Sequence, residues 1–158
     1  MDVIPMTVAG AKALEVELLR LKNKERPRIV NEIAIARSHG DLKENAEYHA
    51  AKDEQGFIEG RIREIESKLS RMQLIDVTQL TQDGRCVFGT TSTLLNLTDN
   101  SEVVYQIVGE DEVDIELGKI SCHSPIAKAL IGNKEGDEVT VKAPKGDILY
   151  EIIEVQYI

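Results

Sequence analysis

Two apolar stripes that mirror one another constrain the first half of this chain more than any other feature. Leu14, Leu18, Leu21, Ile29, Ile33 and Ala36 recur largely at three- and four-residue steps, and so do Ile58, Ile62, Ile65, Leu69 and Met72. That spacing marks one buried face of an α-helix. Leu14 pairs with Leu69, Leu18 with Ile65, Leu21 with Ile62 and Ile33 with Ala50, every pair centred on the Asp41-Leu42 step. A fixed centre is what an antiparallel helical hairpin requires. Its turn follows Gly40, a residue suited to the left-handed backbone that ends a helix. Thr7 is the expected N-cap of the first arm, after Pro5. Pro27 is expected to kink that arm, because proline removes an internal hydrogen bond and crowds the preceding turn. Arms of roughly 30 residues reach ~45 Å, which reads as a projecting antiparallel coiled coil.

Near residue 77 the pattern changes. Residues 1–77 carry 13 basic and 14 acidic side chains, a net of −1, whereas residues 78–158 carry 6 and 14, a net of −8. The 158 residues therefore read as two domains, 1–77 and 78–158. The second holds strand-like runs at 85–88, 92–97, 102–108, 139–142 and 148–155. Turn signals at Asp83-Gly84, Asp99-Asn100 and Lys145-Gly146-Asp147 separate them. One short helix is expected at 125–131, with Ser124 as N-cap, Pro125 in the first position and Gly132 past the end. A small, mostly antiparallel sheet packed on that helix makes the fold class α+β.

Charge and composition exclude several functions. A net charge of −9 excludes a simple basic nucleic-acid binder, which needs surplus Lys and Arg for phosphate contacts. No run approaches the roughly 18 apolar residues of a membrane span. Met1-Asp2-Val3-Ile4-Pro5 lacks the regions of a secretory signal. Cys86 and Cys122 are far apart without a CxxC pattern, and His39, His49 and His123 lack zinc-ligand spacing. The expectation is a cytoplasmic, thiol-reduced protein with no membrane partner.

The hairpin turn concentrates polar residues from His39 to His49, and Asp41 and Glu44 admit two readings there. In one, Asp41 caps the second helix and Glu44 reaches back to complete a capping box, both carboxylates suiting the positive end of the helix dipole. In the other, two acids three residues apart point at a single spot. They then supply the protein share of a Mg²⁺ site whose remaining ligands come from a partner. Two carboxylates are too few for a self-contained metal enzyme. Arg37, Lys43 and Lys52 are either ordinary solvated charges or guides along a nucleic-acid backbone. Tyr48 either covers the hairpin end or stacks on a base.

The stretch Arg37-Ser-His-Gly-Asp-Leu-Lys-Glu-Asn-Ala-Glu-Tyr-His-Ala-Ala51 resembles the tip signature of the bacterial Gre transcript-cleavage factors. Ser121-Cys-His-Ser-Pro-Ile-Ala-Lys-Ala-Leu-Ile-Gly132 resembles the family's C-terminal signature. Ile4-Pro5-Met6-Thr7, Gln55-Gly56-Phe57 and Glu59-Gly60-Arg61-Ile62 match as well, so the resemblance spans essentially the whole chain. Its basic patch is small, which places it on the less basic side of the family. The resemblance implies an N-terminal coiled-coil hairpin and an FKBP-like C-terminal domain that docks on bacterial RNA polymerase at the secondary channel. The hairpin then enters the channel into which a backtracked polymerase extrudes the nascent RNA 3′ end. By the same resemblance Asp41 and Glu44 are the catalytic and metal-binding acids. They hold a Mg²⁺ jointly with the polymerase, none being tightly bound by the free protein. Arg37, Lys43 and Lys52 match the nucleic-acid-binding patch, Lys52 standing where an Arg is also typical. DNA is met only within the elongation complex, and the factor is a monomer that activates a reaction belonging to the polymerase.

Two alternatives remain at this point. An FKBP-like domain suggests a prolyl isomerase or chaperone, although only Phe88, Tyr105, Tyr150 and Tyr157 are available to line a proline pocket. A family member that occupies the channel without stimulating cleavage is the other, and the intact Asp41-Leu-Lys-Glu44 argues against it.

Overall fold

A computed structural model of the chain describes residues 2–158. Strand β1 (Ile4–Thr7) leads into helix α1 (Val8–Arg20). Thr7 is its N-cap as expected, its Oγ1 accepting a hydrogen bond from Gly10 N at 3.0 Å. The Glu112 carboxylate completes the cap, accepting from Thr7 N at 3.2 Å and from the Thr7 hydroxyl. A Cβ on Gly10 would overlap that carboxyl group. Gly10→Ala therefore displaces Glu112 from Thr7, and a loss of about 1–2 kcal/mol follows from the weakened cap. Thermal denaturation checks it.

The first arm is interrupted one turn before its proline. A π-turn (Leu21–Glu25) separates α1 from α2 (Arg26–Arg37), and Arg26 N–H donates to Leu21 O, five residues back. Pro27 then occupies the first turn of α2, where its missing N–H costs least. The wider π-turn takes up the crowding that a proline imposes on the turn behind it. It also inserts one residue into the arm, which shifts every position between it and the hairpin turn. Ala51 is accordingly buried and Ala50 is exposed, the reverse of the expectation from mirror pairing. Leu14, Leu21, Ile62 and Ile65 are buried, whereas Leu18 and Leu69 are only half-buried.

The return arm is α3 (Ala46–Ser70). Met72, expected at the end of its stripe, lies instead in strand β2 (Met72–Ile75). Ile29 and Ile65 are 0% exposed, each contributing roughly 1.5–3 kcal/mol of burial. Ion pairs between the arms fix the register: Arg26 grips Glu59 through two bonds of 2.9 and 2.8 Å, and Arg61 grips Glu17 at 3.1 and 2.9 Å. Arg28 joins Glu25 and Glu32 on its own arm to Glu54 on the other. Hydrogen bonds from Arg26 and Arg28 hold the Glu59 and Glu25 carboxyls below their usual value of 4.5. For a depressed carboxylate, the stabilisation is present above the unfolded value and is lost as pH falls through the folded one. The helix signal of the hairpin should therefore melt at lower temperature once pH drops below about 4.5, by a small margin because these pairs are exposed.

By closeness in space, Ala11–Met72 form one unit, and Val3–Gly10 with Gln73–Ile158 form another. The division falls at Met72 rather than at the composition change near 77, because β2 pairs with β1 in a two-stranded sheet. The second unit is built on a five-stranded sheet in the order β5-β4-β3-β7-β6. Its strands are β3 (Thr91–Asn96), β4 (Glu102–Val108), β5 (Lys119–Ser121), β6 (Glu138–Ala143) and β7 (Gly146–Gln156). All its pairings are antiparallel except β4 with β5. Helix α4 (Pro125–Leu130) is capped by Ser124, whose Oγ accepts from Ala127 N at 3.2 Å. Leu94, Ile107, Ala127, Leu130 and Ile152 form the centre of an aliphatic core at 0% exposure. The run 85–88 is not a strand. Arg85 makes a single bridge to Lys134, and the left-handed Gly84 and Gly89 turn the chain on either side of it. Cys86 is buried in the core and Cys122 half-buried, both as free thiols.

Candidate functional site

The hairpin turn is organised by a residue other than the acids. Helix α2 ends at Arg37, and Gly40 follows with φ +118, a backbone that L side chains rarely adopt. Helix α3 is capped by Asn45, whose Oδ1 accepts from Tyr48 N at 3.0 Å. The same amide donates from Nδ2 to Ala36 O at 2.6 Å. One planar group thus satisfies a free N–H at the start of one helix and gives the Ala36 carbonyl, at the end of the other, a donor beside the His39 N–H.

This corrects the capping reading of Asp41 and Glu44. Asp41 lies outside the helix, four residues before the cap, and its Oδ1 accepts from Lys43 N at 3.0 Å in a local turn. Its second oxygen has no partner among the described residues, and neither does the Glu44 carboxylate. Both residues are exposed. They line one surface hollow with His39, Asn45, Ala46 and Glu47. The two acids line the same hollow, and neither caps a helix.

The basic residues are distributed differently. Arg37 lies over the Tyr48 ring, 5.8 Å from its centroid, a cation–π contact that orients the guanidinium. Lys52 is one helical turn beyond Tyr48 on the same face, its Nζ donating to Gln55 Oε1 at 3.1 Å. Lys43 sits in the turn between the acids, its carbonyl 3.3 Å from His49 Nε2. Lys43 is therefore beside the acids, while Arg37 and Lys52 flank Tyr48. Tyr48 is half-buried, holding Arg37 with its ring.

Two features went unread in the sequence. Asn45 was hidden by Asp41-x-x-Glu44, which mimics a capping box. The signal for it was its place immediately before the helical period resumes, where Asn ranks with Asp as a cap. The other is a contact across the turn, His39 Nδ1 to Glu47 Oε2 at 2.8 Å.

No group of three or more His, Cys, Asp and Glu side chains able to hold a metal ion is present among the described residues. Asp41 and Glu44 therefore suit Mg²⁺ only as part of a larger ligand set, in keeping with an ion that keeps waters and takes one or two carboxylates. A hollow in the sheet unit is lined by Gln73, Ile75, Leu80, Thr81, Asp83, Arg85, Val87 and Phe88. Phe88 is the one aromatic on it, and Tyr150 and Tyr157 are buried in the core, so it lacks the aromatic wall of a proline pocket. No helix among the described residues is long and apolar enough to cross a membrane.

The family described as "Transcription elongation factor, N-terminal" matches residues 4–74, and "Transcription elongation factor, GreA/GreB, C-term" matches residues 81–157. The chain belongs to the GreA/GreB family. Among its GreA/GreB relatives, the transcription elongation factor GreA of Ruthia magnifica subsp. Calyptogena magnifica is 76% identical over 158 residues, covering 100% of both chains. That of Thioalkalivibrio sulfidiphilus is 62% identical over the same span, again covering 100% of both. The solved GreA factor homolog 1 (Gfh1) of Thermus thermophilus is 25% identical and covers 98% of this chain and 99% of that one. Its TM-score of 0.43 is too low to bear on the fold. The GreA/GreB relatives are named for transcription elongation rather than for an enzymatic reaction.

Proposed function

We propose that this transcription elongation factor binds bacterial RNA polymerase in the cytoplasm, inserts its hairpin into the secondary channel and stimulates the polymerase's own cleavage of backtracked RNA. Asp41 and Glu44 carry the reading, because two exposed carboxylates share one hollow with the capping task taken from them by Asn45. In that complex Asp41 and Glu44 would be the residues of this chain that hold a Mg²⁺, the remaining ligands belonging to the polymerase. Bound there, the ion would supply electrostatic stabilisation of the negative charge that develops during hydrolysis. The turn's own work is to present both carboxylates without reorganisation, since neither must leave a helix cap first. Arg37, oriented by Tyr48, and Lys52 meet phosphates of the extruded RNA 3′ end, and Lys43 offsets negative charge beside the acids. Cleavage releases a short RNA fragment and leaves a new 3′ end, from which elongation resumes. The globular unit supplies docking, and DNA is met only inside the elongation complex.

The test is RNA cleavage by purified, backtracked polymerase in Mg²⁺ with no addition, with this protein, and with a variant lacking the tip charges. Stimulation that the variant loses while still binding polymerase supports the reading. Binding without stimulation by the unaltered protein overturns it in favour of a channel-occupying regulator.

A further inference from the structure

The segment between the two helices contains both acids, and one side chain hydrogen-bonds the backbone of both helix ends, beside the side-chain contacts His39–Glu47 and Arg37–Tyr48 across the same turn. Asn45 Nδ2 reaches Ala36 O across nine positions of sequence, while Asn45 Oδ1 receives Tyr48 N–H. Asp41 and Glu44 lie inside the loop so closed, and Glu44 is bonded directly to the residue that closes it. The orientation of the amide follows from its partners, since a backbone N–H only donates and a carbonyl only accepts. Few side chains can replace it. Asp supplies the acceptor but no N–H donor, and Ser caps a helix but is too short to span to the second. Gln carries the same amide on a longer stem, which moves it off the short cap geometry.

We infer that Asn45 is a positioning residue for the tip acids: its tie to Ala36 holds the turn so that Asp41 and Glu44 face one point, a role separable from its capping of α3. The inference rests on the function proposed above. The tie removes conformations of a flexible loop before the metal is met, so the cost of ordering the two carboxylates is met in the free protein. Catalytic geometry is sensitive at this scale, since a displacement of about 1 Å costs about a hundredfold in rate.

Two substitutions separate the tie from the cap. Asn45→Ser keeps an N-cap and loses the reach to Ala36, and Asn45→Ala loses both. The full-length protein and each variant are measured for thermal midpoint, affinity for polymerase, and maximal cleavage rate on backtracked polymerase at saturating factor. The expected result has Ser near the unaltered protein in midpoint, with Ala lower. Both variants bind polymerase normally, and both lose about tenfold or more in maximal cleavage rate. A cleavage rate that follows the midpoint, with Ser normal and only Ala impaired, overturns the inference and makes Asn45 a cap alone. A normal cleavage rate in both variants overturns it as well. Either of those leaves the proposed function standing, provided that Asp41→Asn, run alongside, still lowers cleavage. Loss of stimulation by the unaltered protein overturns the function and the inference together.

Discussion

Asp41→Asn combined with Glu44→Gln is expected to leave the fold and polymerase binding intact while returning RNA cleavage to the rate of the polymerase alone. The structural half follows from the turn. An Asn at 41 can still accept the Lys43 N–H through its side-chain oxygen. Glu44 has no hydrogen bond or ion pair to lose among the described residues. Exposed substitutions of this kind stay within about 0.5 kcal/mol in stability. The catalytic half follows from charge. A metal ion contributes several kcal/mol of transition-state stabilisation, which corresponds to about 10²–10³ in rate. Two acids serving one ion act as a unit, so each single substitution should cost most of what the pair costs. Rates that multiply independently would contradict a shared ion.

The second large effect concerns what carries the tip. Ile65 is 0% exposed on the return arm of the hairpin, and Ile65→Ala is expected to destabilise that unit by about 3 kcal/mol. Ile65→Val, which keeps the branched shape, should cost about 1 kcal/mol. Denaturation followed by the helical circular-dichroism signal reads both, because that signal is dominated by the long arms. Equal effects of the two changes would show a site that collapses around the loss rather than a packed seam. Ion pairs such as Arg26–Glu59 cannot substitute for this packing, being exposed and worth little singly.

The hairpin was legible because a helical period persists over both arms and a Gly40-containing turn separates them. Its register near the turn was not, since the inserted residue comes from a π-turn ahead of Pro27 and leaves no mark on apolar spacing. Strands β3, β4, β6 and β7 alternate long enough to be read. Strands β1, β2 and β5 span only three or four residues, too few for alternation to separate from chance. The run 85–88 shows the opposite failure, an apolar stretch that flanking glycines keep out of the sheet. At the tip, Asp41 and Glu44 were visible as a pair, but their freedom was not. That freedom depends on Asn45 taking the cap of the second helix, which the Asp41-x-x-Glu44 pattern conceals, and the second bond of Asn45, to a carbonyl nine positions away, is one that local pattern does not encode.

The most direct measurement is a Mg²⁺ titration of RNA cleavage by backtracked polymerase, with and without the factor and with the Asp41→Asn/Glu44→Gln variant. If the tip acids complete a shared metal site, the unaltered factor lowers the Mg²⁺ concentration for half-maximal cleavage and the variant does not. An unchanged Mg²⁺ midpoint in the presence of bound, unaltered factor would contradict the account.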